Sequence, residues 1–170
     1  TINAVDSGGN ERSYTLVYDG DGFLQSITDS LTRTTDFETD PAGRTTAVIL
    51  PDDDPGGRRL EIGYDDNGNV TSVTPPGKTA HILDYTGLDK ADSYDPPDVA
   101  GVSPDFTNYE YNQDGQVTII DQPGAADVSI DYDEYGRIQS YTHGPYSVTA
   151  GYDENTAMLD RLDASDGSTN

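Results

Sequence analysis

The stretch YDDNGNVTSVTPPG, Tyr64 to Gly77, decides the fold. An aromatic residue leads into an acidic turn ending in glycine, a β-branched run follows, and Pro-Pro-Gly stops it. Glycine supplies positive φ without steric cost, and Asn-Gly is a strong short-range hairpin signal. The stretch has relatives along the chain: YNQDGQVTIIDQPG from Tyr111 to Gly124 and YDEYGRIQSYT from Tyr132 to Thr142. Nothing in them has the form of a catalytic motif. The unit reads as strand, turn, strand, and it repeats.

Aligned on the aromatic-acidic turn, the copies are anchored at Tyr18, Thr39, Tyr64, Tyr85, Tyr111, Tyr132 and Tyr152. Glycine stands four residues after the anchor at Gly22, Gly43, Gly68, Gly115 and Gly136; Asp89 and Thr156 replace it in the fourth and seventh copies. Before the anchors, apolar residues alternate: Tyr14, Leu16 and Tyr18; Leu60, Ile62 and Tyr64; Val128, Ile130 and Tyr132. Residues two apart share a face of a strand, so one face is aromatic and aliphatic. Acids fill the gaps at Glu38, Asp84, Glu110 and Asp131, which makes the other face negative. In the outgoing strands the apolar spacing is three, as in Leu24/Ile27, Val70/Val73 and Val117/Ile120. Such pairs lie on opposite faces unless a bulge intervenes, and both arrangements remain open. The expected fold is all-β: repeated antiparallel hairpins in a continuous spiralling sheet, a single array of about seven units over residues 1–170. A weak helical pattern is confined to NTAMLDRL, Asn155 to Leu162.

Composition agrees with a thin sheet. Hydrophobic residues make up 32% of the 170, with 12 tyrosines among them, too few aliphatics for a thick core. The net charge is −23, and 26 of the 32 acids are Asp rather than Glu. Asp competes for its own backbone and favours turns, so the acidity reads as turn chemistry on a solvated surface. Such a field disfavours nucleic acid and anionic membranes. With no cysteine, disulfides and thiolate metal sites are excluded. No apolar run approaches the ~20 residues needed to span a bilayer.

The units YDGDGFLQSIT, TDPAGRTTAVI, YDDNGNVTSVT, YNQDGQVTIID and YDEYGRIQSYT resemble the YD-repeats of Rhs proteins. That family includes bacterial wall-associated proteins, toxin-complex cocoon subunits and teneurins. ILDYTGLDKADSYDPP, Ile82 to Pro97, is similar to the family's variant unit with a Tyr-x-Pro-Pro turn. The resemblance implies a β-ribbon that spirals into a shell, in many members around a C-terminal toxin domain. The family's C-terminal core motif is not present in this sequence, so its autoproteolysis is carried onto no residue.

The expectation is a non-enzymatic structural repeat protein, a wall segment of an extracellular or cell-surface shell. Its partners would be further repeats of the same chain, or copies joined end to end, and an enclosed or presented domain. The alternatives are the subunit of an extracellular filament or adhesive layer, and a carbohydrate- or receptor-binding module. The residues singled out are structural: Tyr18, Gly22, Gly43, Tyr64, Gly68, Tyr85, Tyr111, Gly115, Tyr132, Gly136 and Tyr152. No catalytic, cofactor-binding or metal residue is assigned. His81 falls on the aromatic face, His143 reads as a loop residue, and a Ser140–His–Asp131 triad has only composition behind it, whereas a triad needs geometry. The clusters at Asp19 to Gly22 and Asp52 to Asp54 offer oxygens to calcium but lack the twelve-residue loop ending in Glu. Turn-forming Asp explains most of these clusters, so no cofactor is expected, with weak, adventitious calcium binding as the lesser alternative.

Overall fold

The computed structural model describes residues 2–5, 11–51, 58–98 and 105–167, and Asp52 to Asp54 lie outside them. Fifteen β-strands run in chain order, with no helix among the described residues. β1 spans Ile2–Val5, β2 Glu11–Tyr18, β3 Leu24–Thr28, β4 Thr34–Thr39, β5 Thr45–Leu50, β6 Arg58–Tyr64, β7 Val70–Thr74 and β8 His81–Tyr85. β9 spans Ala91–Asp95, β10 Thr107–Tyr111, β11 Val117–Asp121, β12 Val128–Tyr132, β13 Ile138–His143, β14 Tyr146–Tyr152 and β15 Leu159–Ser165. Hydrogen-bonded neighbours follow the same order. The expected all-β, antiparallel-hairpin fold is met. The chain divides into two compact units, Thr1–Ile82 and Leu83–Asn170, with the boundary inside β8.

Seven strands end on the anchors read from the sequence: Thr39 closes β4, and Tyr18, Tyr64, Tyr85, Tyr111, Tyr132 and Tyr152 close β2, β6, β8, β10, β12 and β14. The turns share one design. In the first, the Gly22 N–H donates to the Asp19 carbonyl at 3.2 Å and the Asp19 N–H to the Phe23 carbonyl at 2.9 Å. The Asp19 carboxylate also accepts the N–H groups of Asp21 and Phe23, at 3.0 and 2.8 Å. A short acceptor one residue after the anchor therefore caps the turn from within, which Glu is too long to do. Asp40, Asp65 and Asp133 repeat the arrangement, and Asn112 fills the place with its amide oxygen.

The turns settle the spacing of three. Tyr64 pairs with Val70 but Ile62 with Val73, so the register slips and Thr71 is the extra residue of a bulge. The same slip falls between Val17 and Tyr18, Glu38 and Thr39, Glu110 and Tyr111, Asp131 and Tyr132, and Gly151 and Tyr152. Each bulge returns the apolar pair of the outgoing strand to the anchor's face. In the first unit Tyr18, Leu24, Ile27, Phe37, Val48, Leu60 and Tyr64 thus share one face. In the second, Tyr109, Tyr111, Val117, Ile120, Val128 and Tyr132 do so.

Two readings are corrected. Asn155 to Leu162 is not helical: Asp153 takes hydrogen bonds from Asn155 N–H, Thr156 N–H and the Thr156 hydroxyl. The chain makes a single Ala157 N–H to Asp153 carbonyl bond, and Ala157 then turns left-handed at φ 58°. From Leu159 onward it pairs with β14 instead. The seventh copy is therefore a repeat whose turn is one residue longer. His143, expected in a loop, ends β13 opposite Val128 and Tyr146, because the ladder runs to the tight turn at Gly144.

The core is as thin as the composition requires. Only Ala47 and Val128 are buried apolar residues among those described. Val128 lies on the aromatic face; Ala47 lies on the acidic face, between Glu38 and Glu61 in the register. Arg59 reaches across β5 to bond both Glu38 oxygens, at 2.6 and 2.7 Å, and bonds Glu61 at 2.8 Å. Ala47 is the small residue this bridge passes over. Acids outnumber Lys and Arg by 32 to 9, a net charge of −23, so the fold repels itself. The melting temperature is expected to rise with sodium chloride, which screens beyond about 8–10 Å near physiological strength. A steady fall with added salt contradicts this.

Candidate functional site

The recurring constellation is a seam by which one turn meets the next within each unit. It is built from three positions. One is a residue in left-handed conformation: Gly22, Gly43, Gly68, Gly115 and Gly136 at φ between 75° and 96°, with Asp89 at 56° in the fourth repeat. The side chain after it reaches toward the following turn. The backbone carbonyl one further on accepts the hydroxyl of the following anchor tyrosine.

After Gly43, the Arg44 guanidinium lies 4.7 Å from the centre of the Tyr64 ring and donates to the Asp65 carbonyl at 3.1 Å. The Tyr64 hydroxyl donates to the Thr45 carbonyl at 2.9 Å. After Asp89, Lys90 lies 5.4 Å from the Tyr111 ring and donates to the Gly115 carbonyl at 2.7 Å. The Tyr111 hydroxyl donates to Ala91 at 2.6 Å. After Gly115, Gln116 donates to the Gly136 carbonyl at 2.7 Å, and the Tyr132 hydroxyl to Val117 at 2.8 Å. After Gly136, Arg137 lies 4.0 Å from the Tyr152 ring and donates to the Ala157 carbonyl at 3.3 Å, and Tyr152 donates to Ile138 at 2.8 Å. In the first seam Phe23 takes the bridging place, so close to Gly43 that a Cβ there would fall 2.4 Å from its ring.

Tyrosine suits this place because its ring supplies packing area and its hydroxyl a directed donor. A cation over the ring adds a modest attraction. Tyr18 and Tyr85 end their strands as the other anchors do, and Tyr18 is 56% exposed. Sequence reasoning missed the bridging position. A signal existed: Arg44, Lys90 and Arg137 each follow the left-handed residue of a repeat turn.

Side-chain donors within the turns set the turn carboxylates. Hydrogen bonds from Arg33, Arg44, Asn69 and Thr156 hold Asp29, Asp40, Asp65 and Asp153 below the usual carboxylate range. Asp133 is held low too: burial opposes it, but bonds from the Arg137 side chain and backbone outweigh burial. A carboxyl depressed in the fold contributes stability that is present above its unfolded value, 3.8, and lost as pH falls through the folded value. In high salt, where self-repulsion is screened, the urea midpoint is expected to hold from pH 7 to about 4 and fall below it. Asp40→Asn, which keeps a turn acceptor but loses the Arg44 ion pair, should shrink that fall. A midpoint unchanged at pH 2.5 contradicts the assignment.

Ser140, His143 and Asp131 do not come together as a triad. The Ser140 hydroxyl donates to Asp131 at 2.8 Å, but His143 lies on the opposite face with Tyr141. Among the described residues, no three His, Asp or Glu side chains stand together as metal ligands.

The fold and seam together define an array of YD-type β-hairpins. The teneurin YD-shell family model matches residues 2–169, and the chain belongs to that family. Its fold is similar to part of the TcdB2-TccC3 crystal structure, with a TM-score of 0.68, 15% identity, and coverage of 92% of this chain and 9% of that one. The Photorhabdus luminescens Tc holotoxin pore gives a TM-score of 0.68 at 15% identity, covering 91% of this chain and 9% of that one. The chain thus spans about 9% of the length of the solved chains it matches. No match was found among curated proteins.

Proposed function

We propose that this chain is a wall segment of an extracellular or cell-surface YD-repeat shell, without catalysis of its own, that contains or presents another domain. The observation that carries this reading is the seam. Four of the seven anchors, Tyr64, Tyr111, Tyr132 and Tyr152, make the same tyrosine-to-carbonyl bond to the preceding repeat. Family membership and the likeness to part of a holotoxin assembly support it. Electron microscopy of the full polypeptide that carries this segment is the test. A hollow particle with the segment in its wall is expected; a solid globule overturns the reading.

One feature favours carbohydrate binding as a second reading. Tyr135 is 73% exposed and shares an open cleft with Glu134, Arg137, Tyr152 and Glu154. Aromatic rings beside carboxylates suit a sugar. Chemical-shift changes at Tyr135 on titration with neutral oligosaccharides would support it, and their absence removes it.

A further inference from the structure

The turn from Asp65 to Asn69 carries the one Asn-Gly pair of the sequence, Asn67–Gly68. Both residues are exposed, and Gly68, at φ 96°, has no side chain to shield its backbone nitrogen. The Gly68 N–H donates to the Asp65 carbonyl at 3.2 Å. The equivalent bonds at Gly43, Gly115 and Gly136 are 2.9 Å, so this turn is closed by a bond at the long end of the usual range. Gly22 matches it at 3.2 Å, but there the preceding residue is Asp21, and a carboxylate is a poor target for a nucleophile.

We propose that Asn67 is the chain's site of spontaneous deamidation, and that its isoaspartyl product opens the seam between the turns at Gly43 and Gly68. The Gly68 nitrogen gives up its proton to base and attacks the Asn67 Cγ. The bond from Cγ to the side-chain nitrogen breaks, ammonia leaves, and a five-membered imide closes. Water then opens that ring. Hydrolysis of the new Cγ–N bond leaves aspartate. Hydrolysis of the old backbone C–N bond leaves isoaspartate, with the chain running on through Cβ and Cγ. Nothing is oxidised or reduced, and water is the co-reactant. This chemistry does not depend on the shell reading.

The turn treats the two products differently. Asp21 and Asp114 stand where Asn67 stands, and each donates its N–H to the capping side chain of its own turn at 3.0 Å. Aspartate therefore fits. Isoaspartate inserts a methylene into the main chain between Asp65 and Asn69. Those two residues are joined by the bond from the Asp65 N–H to the Asn69 carbonyl, at 3.0 Å, and from the Asn69 N–H to the Asp65 carboxylate, at 2.8 Å. A longer chain between them breaks that closure. The Asp65 carbonyl is also the acceptor for Arg44 at 3.1 Å, and Arg44 Nη1 lies 3.7 Å from the place of a Cβ on Gly68. Displacing the turn thus withdraws the acceptor that Arg44 uses to bridge the seam.

The test incubates the folded chain at mildly alkaline pH and follows each asparagine by peptide mapping, with isoaspartate counted by an isoaspartyl methyltransferase assay. Asn67 is expected to convert first. The Gly68 bond must open before attack, so conversion should be about tenfold slower than in a free peptide of residues 60–74. Arg44→Ala, which removes the guanidinium from the Asp65 carbonyl, should speed conversion in the chain about threefold. Asn67→Asp should keep the parent's melting temperature, whereas the isoaspartyl chain, separated by ion exchange, should melt lower and exchange the Asn69 amide faster. Conversion at another asparagine ahead of Asn67, or none at Asn67 while the peptide converts fully, overturns the site. An isoaspartyl chain that melts with Asn67→Asp overturns the opening of the seam. A rate equal in chain and peptide, or unmoved by Arg44→Ala, overturns the hold of the turn on the Gly68 nitrogen.

Discussion

Replacing Gly43 with valine is expected to lower stability by about 3 kcal/mol, the largest effect at any of the repeat glycines. Two costs combine. Gly43 holds φ at 81°, where an L-residue loses roughly 1–2 kcal/mol and a β-branched one more. The added Cβ would also fall 2.4 Å from Cε1 and 2.8 Å from Cζ of Phe23. The ring would have to leave its place over the turn, and overpacking of that kind costs about 1–3 kcal/mol. Gly22 separates the two costs. Its φ is 88°, yet nothing lies within 4 Å of a Cβ built there, so Gly22→Val should lose only the backbone share. Urea denaturation of both variants, with Phe23→Ala in each background, gives the coupling directly. Equal losses at Gly22 and Gly43 would show that Phe23 does not bridge the first seam.

That comparison marks what the sequence could and could not reveal. Gly22 and Gly43 look alike in sequence, because the turn demands the same backbone conformation at both. What differs is a residue 20 positions away from Gly43 in the chain, Phe23, and no local pattern reports it. The strand ends were legible for the opposite reason: the anchor, the capping Asp and the left-handed glycine are neighbours in sequence, and all three act on the same few bonds. Where one of the three changed, the reading weakened. The longer turn at Asp153 to Met158 hid Ala157 in the glycine's role and left a false helical pattern. Asp89, too, holds the left-handed conformation at φ 56° although it looked like a lost glycine. Asp tolerates that region because its short polar side chain can bond locally. The spacing of three in the outgoing strands carried the bulge without naming it, since a bulge and a face change leave the same trace until the partner strand is known. The bridging cations were visible as a position but not as a contact, because the ring each one meets belongs to the next repeat.

The acidic face gives the second large effect. Ala47→Asp is expected to destabilise by about 3 kcal/mol, whereas Ala47→Ser should cost a few tenths. Ala47 is fully buried, with Glu38 opposite it on β4 and Glu61 opposite it on β6. The Arg59 guanidinium already serves both glutamates, and those bonds hold the Glu38 carboxyl below its ordinary value. A third carboxylate at this point has like charges on both sides and must share a guanidinium that already pairs both glutamates. If it captures Arg59, it does so by releasing Glu38, and the number of paired acids does not rise. Ala47→Asn has similar shape without the charge, so it isolates the electrostatic part. Pressed between two carboxylates, the introduced acid would have its folded pKa raised. Its penalty is then fully present above that raised value and vanishes below the unfolded one. The gap between the Asp and Asn variants should therefore narrow as pH falls from 7 toward 4, measured by urea unfolding at fixed ionic strength. A gap that stays constant across that range would mean that Arg59 compensates the new charge. The acidic face would then be a set of independent solvated residues, with no bridge running across β5.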